Sequence, residues 1–203
     1  MKILLVDDHA VIRSGLKQLC VGATVLEADN GASALALQKS ERPGLTVLDL
    51  NMPGLSGLEL LRQLLEVDSS ARVLVFSMHG EPVYAAKALE IGAKGYVSKN
   101  ASPEELRTAL SRISSGMTYV EGEIAQALAA LPGEQRQQLS ERDLEILRLL
   151  GEGRSFTEIA GALGLGYKTV ANTATAIKSK LGVARTADLI RLSVEMGIGR
   201  QVP

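Results

Sequence analysis

The 203-residue sequence predicts two domains: an α/β domain on a doubly wound five-stranded parallel sheet, then an all-α four-helix domain. Three observations carry this prediction. Short apolar runs alternate with helical stretches over the first 116 residues. The last 64 residues show helical periodicity alone. Between them Leu131-Pro-Gly133 and the polar run Glu-Gln-Arg-Gln-Gln interrupt both patterns.

The predicted strands are Ile3–Val6, Thr24–Glu27, Leu45–Leu48, Val73–Phe76 and Tyr96–Val97. Mostly β-branched or leucine-rich and nearly uninterrupted by polar residues, they suit a sheet buried on both faces. Helices are expected at about 9–20, 32–41, 56–67, 82–91 and 103–115. Ser56-Gly-Leu-Glu59 reads as a capping box, and Ser102-Pro-Glu-Glu105 places a cap, a proline at the first helical position and a glutamate at the third. The division is 1–116 for the first domain, 117–138 for a linker with a short helix at 122–131, and 139–203 for the second domain. In the latter, Ser140-Glu-Arg-Asp143 opens one helix that closes at Gly151 or Gly153. Ser155-Phe-Thr-Glu158 caps a second that ends near Gly164. A third runs from Tyr167 to Leu181, and a fourth from Thr186 to near Gly197.

Composition excludes several classes. Hydrophobic residues make up 46% and charged residues 22%, which is globular rather than disordered. Aromatics are 3%, so the core is aliphatic. Net charge is -1, unlike a general polyanion binder, but residues 1–138 carry 13 basic against 16 acidic side chains and residues 139–203 carry 9 against 7. Cys20 is the single cysteine, which excludes an intrachain disulfide and fits a reducing cytosol; its apolar helical setting makes it a core residue. The start MKILLVDDH is wrong for a signal peptide, and no apolar stretch approaches the roughly 20 residues of a membrane span. The expected location is cytoplasmic. His9 and His79 lack metal-ligand spacing and read as ordinary polar residues.

In a parallel sheet every strand points its C-terminal end at one edge, where ligands of open α/β folds bind. Asp7 and Asp8 follow strand one, Asp49 ends strand three, Ser77 ends strand four and Lys99 lies beyond strand five. Three carboxylates at about 4 Å repel by on the order of 4 kcal/mol per pair. Either their proton affinities rise or a cation sits among them, and a carboxylate, carbonyl and water set suits Mg2+. With Lys99 opposite and Ser77 donating, such a rim holds a phosphoryl group and leaves Asp49 as nucleophile. Taken singly, each residue also has an ordinary reading as a turn, cap or surface residue.

The segments Leu-Val-Asp-Asp-His (5–9), Leu-Asp-Leu-Asn-Met-Pro-Gly (48–54) with Gly57, and Gly-Ala-Lys-Gly-Tyr-Val-Ser-Lys (92–99) resemble the receiver domain of two-component response regulators, over about 1–116. That resemblance implies a flavodoxin-like fold, phosphorylation of Asp49 by a sensor histidine kinase, and Mg2+ held by Asp7, Asp8, Asp49 and the backbone carbonyl of Asn51. It also implies phosphoryl contacts from Ser77 and Lys99, and Tyr96 as the switch aromatic. One departure is Asn100, where many receivers carry a proline after the lysine.

Residues 155–181 have helix-turn-helix spacing, with the break at Gly164-Leu-Gly166. On a helical wheel Val170, Ala174, Ile177 and Leu181 form a buried stripe, Lys168, Asn172, Thr175 and Ser179 point away, and Lys178 and Lys180 flank the stripe. No acidic residue occurs from Ile159 to Ala187. The face suits a major groove, with flanking lysines on phosphates; the same pattern also serves a helical packing domain with a solvated lysine face. Leu139-Ser-Glu-Arg-Asp-Leu-Glu-Ile-Leu147, Glu158-Ile-Ala160, Lys168-Thr-Val170 and Lys180-Leu-Gly-Val183 resemble the LuxR/NarL-type output domain, over about 137–198. The resemblance implies a recognition helix contacting DNA through Lys168, Thr169, Ala171, Asn172, Thr175, Lys178, Ser179 and Lys180, and a fourth helix carrying a dimer contact. Ala171, Thr173 and Thr175 depart from positions often basic, histidine or charged in the family.

The expectation is a NarL/FixJ-type transcription regulator, not an enzyme beyond its own phosphoryl transfer. Its partners are a sensor histidine kinase, double-stranded DNA and a second copy of itself, with no membrane. The alternative is a regulator that binds DNA without phosphorylation and uses its receiver for protein contacts. An aspartyl phosphatase is disfavoured because Asn51 stands where those enzymes usually carry a second acid.

Overall fold

The computed structural model describes residues 1–52, 57–78, 82–130, 139–181 and 183–195. Ser56 of the predicted capping box, His79, the break at Leu131-Pro-Gly133, the polar run after it, Gly182 and the helix end near Gly197 lie outside those residues.

The first domain has the order β1 (Lys2–Val6), α1 (Ala10–Leu19), β2 (Thr24–Ala28), α2 (Gly31–Glu41), β3 (Leu45–Leu48), α3 (Gly57–Val67), β4 (Val73–Ser77), α4 (Pro82–Ile91), β5 (Gly95–Ser98) and α5 (Pro103–Ser114). Then follow β6 (Tyr119–Val120) and α6 (Gly122–Ala130), and four helices: α7 (Glu141–Gly151), α8 (Phe156–Ala162), α9 (Tyr167–Leu181) and α10 (Thr186–Glu195). The predicted caps at Ser102, Ser140 and Ser155 are present, the last two as full capping boxes.

All strand pairs are parallel, in the order β2-β1-β3-β4-β5-β6. The expected five-stranded sheet is therefore six-stranded. The added strand comes from residues read as linker. Two residues carry no readable period, and their pairing depends on a neighbour far away in sequence. The Tyr119 N–H donates to the Lys94 carbonyl at 3.0 Å and the Glu121 N–H to the Tyr96 carbonyl at 3.1 Å. Gly95 permits this approach, because a Cβ there would stand 2.6 Å from the Tyr119 carbonyl oxygen.

Alternate strand residues enter opposite layers. Ile3, Leu5, Leu45, Val47, Leu74, Phe76 and Val97 meet α1 and α5, with Cys20 buried among them as expected. Leu4, Val6, Leu48, Val73, Val75 and Tyr96 meet α2, α3 and α4. The second layer continues through Ile124 of α6 into Leu144, Leu147, Ile159, Val170 and Ile177, so one apolar cluster joins the α3–α4 side of the sheet to the C-terminal helices. No described helix is long and apolar enough to cross a membrane.

Candidate functional site

The strand ends converge as a parallel sheet requires. Asp7 and Asp49 are each 1% exposed and Ser77 is fully buried. The Asp49 N–H donates to the Val6 carbonyl at 2.9 Å and the Lys99 N–H to the Ser77 carbonyl at 2.8 Å, so backbone bonds fix the spacing of the loops. The Lys99 ammonium bridges two acids, donating to Asp7 Oδ2 at 2.6 Å and Asp49 Oδ2 at 2.7 Å. Each remaining oxygen accepts from the loop two residues on: Asp7 Oδ1 from the His9 N–H at 2.8 Å, and Asp49 Oδ1 from the Asn51 N–H at 3.0 Å. Burial pushes the Asp49 carboxyl above the usual carboxylate range, and Lys99 pulls it only part of the way back.

Ligand atoms of Asp7, Asp8, His9 and Asp49 lie within 4.8 Å of one another. Asp8 Oδ1 is buried and accepts no hydrogen bond, although His9 Nδ1 stands 2.9 Å away; the contact is close but lacks hydrogen-bond direction. An orphaned carboxylate oxygen among crowded acids fits a hard divalent cation, for which carboxylate oxygens are the preferred donors. His9, read from sequence as an ordinary polar residue, belongs to this cluster; its place directly after Asp8 was the available signal. Asn100 follows Lys99 where a proline is frequent, and its N–H, which proline would lack, donates to Ser98 Oγ at 2.9 Å. Tyr96 is fully buried.

In the C-terminal domain α9 buries Val170, Ala174 and Ile177 and exposes Lys168, Thr169, Asn172, Thr175, Ser179 and Lys180. Ala171 and Lys178 are half-buried. Lys180, expected on phosphate, pairs with buried Asp143, the third residue of α7, and so ties α7 to the end of α9. Tyr167 belongs to no site predicted from the sequence. It opens α9, is 59% exposed, and leans on Phe156 with ring centroids 6.1 Å apart.

The two domains also touch through polar groups. Arg62 of α3 pairs with Glu141 in the first turn of α7. The Tyr84 hydroxyl of α4 donates to the Leu144 carbonyl of α7 at 2.9 Å, in a buried setting. The docked α3–α4 face leaves the outward line of α9 uncovered.

Residues 3–111 match the profile of the response regulator receiver domain, and residues 137–193 that of the bacterial regulatory proteins of the luxR family. The transcriptional activator protein ExaE of Pseudomonas putida is 40% identical, over 98% of this chain and 99% of its own. The response regulator UvrY of Escherichia coli K12 is 31% identical, over 98% and 95%. Among solved structures, a two-component response regulator of the LuxR family from Aurantimonas sp. SI85-9A1 is 39% identical, covering 63% of this chain and 94% of that one, with a TM-score of 0.61. RcsB from Salmonella enterica serovar Typhimurium, bound to promoter P1flhDC in the presence of phosphomimetic BeF3-, is 25% identical over 94% and 96%, with a TM-score of 0.74.

Proposed function

Because this chain belongs to the two-component response regulators that join a receiver domain to a luxR-type DNA-binding domain, we propose that phosphorylation of Asp49 by a sensor histidine kinase controls its dimerisation and its grip on promoter DNA. The receiver would comprise 1–116, the linker 117–138 and the output domain 139–203, working in the cytoplasm. The observation that carries the reading is the buried Asp49 carboxylate, 2.7 Å from the Lys99 ammonium.

One Asp49 carboxylate oxygen attacks the phosphorus of the donor as the bond from phosphorus to the donor breaks. Lys99, released from its bridge, pairs with an oxygen of the transferred group, and Ser77 donates to another. Asp7, Asp8, Asp49 and the Asn51 carbonyl would hold Mg2+, which when bound offsets the charge on the phosphoryl oxygens. The phosphoryl group carries about 1.5 to 2 negative charges in place of the single charge on the Asp49 carboxylate, beside Asp7, so the loops after β3, β4 and β5 must rearrange. Tyr96 and α4 follow those loops.

The family reading is tested on DNA. Full-length protein treated with Mg2+ and acetyl phosphate is expected to retain a selected duplex more tightly, and to run as a dimer, compared with untreated protein. Equal retention with and without the donor, in protein shown by mass to be phosphorylated, supports instead the regulator that binds DNA without phosphorylation.

Tyr84 links α4 to the output domain, so it is proposed to report the switch. Losing one buried hydrogen bond costs about 0.5–1.5 kcal/mol net. Tyr84→Phe keeps the ring and loses the bond, and is expected to speed amide exchange in α7 about two- to tenfold while leaving β1, β3 and β4 protected. Unchanged exchange in α7 would remove Tyr84 from the coupling.

A further inference from the structure

The outward line of α9 narrows how a DNA site is read. Lys168, Asn172, Thr175 and Ser179 recur at helical spacing on the side opposite buried Val170, Ala174 and Ile177. Their chemistry is not equivalent. The Thr175 hydroxyl donates back to the Ala171 carbonyl at 3.0 Å, and the Thr173 hydroxyl beside it to the Thr169 carbonyl at 2.9 Å. Those protons are spent within the helix, which leaves methyl groups and acceptor lone pairs outside. Lys168 donates only, and Ser179 lies near the C-terminal end. Recognition helices of this motif meet base edges with their N-terminal half. In that half Asn172 carries the one side-chain amide, is exposed, and makes no side-chain hydrogen bond among the described residues.

A planar amide holds one donor and one acceptor side by side. In the major groove adenine presents the complement, an N7 acceptor beside an N6 donor, whereas guanine presents two acceptors. We propose that Asn172 reads one adenine in each half-site, its Nδ2 donating to N7 and its Oδ1 accepting from N6; this rests on the DNA-binding reading above. The hydroxyl-committed threonines flanking it offer methyl groups rather than competing donors, and the absence of acidic residues from Ile159 to Ala187 lets the amide approach a phosphate-lined groove without repulsion. Specificity here would therefore come from an amide rather than from a basic side chain.

The test is a selection from random duplex DNA with full-length protein treated with acetyl phosphate, for the wild type and for Asn172→Ala. The wild type is expected to enrich a site with an adenine in each half, and swapping that base pair should weaken binding roughly 5- to 150-fold. Replacing only that adenine by 7-deazaadenine, which lacks N7, should weaken the wild type and leave Asn172→Ala within about twofold. Asn172→Ala should lose preference at that position alone, with an unchanged salt slope, since the amide touches no phosphate. The side chain is exposed and alanine favours helix, so thermal melting of the variant should match or exceed the wild type. A motif that survives Asn172→Ala unchanged, a site without the adenine, or a uniform loss across all positions overturns the proposal alone. A wild type that enriches no sequence overturns the DNA reading itself, and the proposal with it.

Discussion

Asp49→Ala is expected to take up no phosphoryl group from acetyl phosphate and Mg2+, while the wild type gains one by intact mass. Of the two buried acids bridged by Lys99, Asp7 carries two further ties: Arg13 donates to its backbone carbonyl at 2.6 Å, and the His9 imidazole stands 3.2 Å from its second oxygen. Asp49 is the acid at the end of β3, with an ammonium on one oxygen and a loop N–H on the other. Removing its carboxylate leaves Lys99 paired to Asp7, so the fold should survive and the loss should be chemical. A variant that still gains the full mass would move the acceptor to another acid. A wild type that gains nothing while folded would exclude small donors and make a kinase the next donor to try.

A companion variant separates chemistry from stability. Burial is the largest influence on Asp49 and raises its proton affinity, so its folded value lies above the unfolded one. Such a group contributes most at pH below the unfolded carboxylate value, and its contribution falls as pH rises through the folded value. In chelator, Asp49→Asn should therefore be more stable than the wild type at neutral pH, by on the order of 1 kcal/mol. The advantage should shrink as pH falls through the carboxylate range. A less stable Asn variant would mean that the bridge to Lys99 outweighs burial.

The second large effect is expected at Gly57. Gly57 is the first residue of α3, where the helical backbone suits any residue, so the reason for glycine is space rather than conformational freedom. A Cβ at Gly57 would stand 2.2 Å from Leu50 Cα and 2.4 Å from the Leu50 carbonyl oxygen. Those are backbone atoms of the segment that carries Asp49, and they cannot turn away as a side chain does. Gly57→Ala must push α3 and the Asp49–Asn51 loop apart, with a loss on the order of 3 kcal/mol and slower phosphoryl uptake. Gly161→Ala is the control. Nothing lies within 4 Å of its Cβ, and alanine in a helix should gain up to about 1 kcal/mol. Denaturant midpoints for the pair decide the matter; a Gly57→Ala midpoint equal to the wild type would refute the close-packing argument.

Much of this was legible in the sequence because the signals are local. Five apolar runs, three serine caps and the stripe of Val170, Ala174, Ile177 and Leu181 each report their own segment, although Leu181 at the helix end is only half-buried. The acid cluster was legible for a different reason: a parallel sheet brings every strand's C-terminal end to one edge, so Asp7, Asp8, Asp49, Ser77 and Lys99 could be gathered from strand order alone. Lys180 shows what a local signal does not carry. Its position on the wheel suggested phosphate, but its nearest acid is Asp143, 37 residues earlier.

Periodicity and capping act within a few residues, so the two domain classes, the strands and helices of the first domain to within a residue or so, and the five-residue rim could be read from the amino-acid order. Tertiary structure alone decided the sixth strand, the entry of His9 into the acid cluster, the seat of Tyr84 on the Leu144 carbonyl, and the close approach that demands glycine at positions 57 and 95. Each of these depends on which surfaces meet across long chain separations. That choice is made by the shared burial of residues such as Ile124 and Leu144 in one core, which no local pattern encodes.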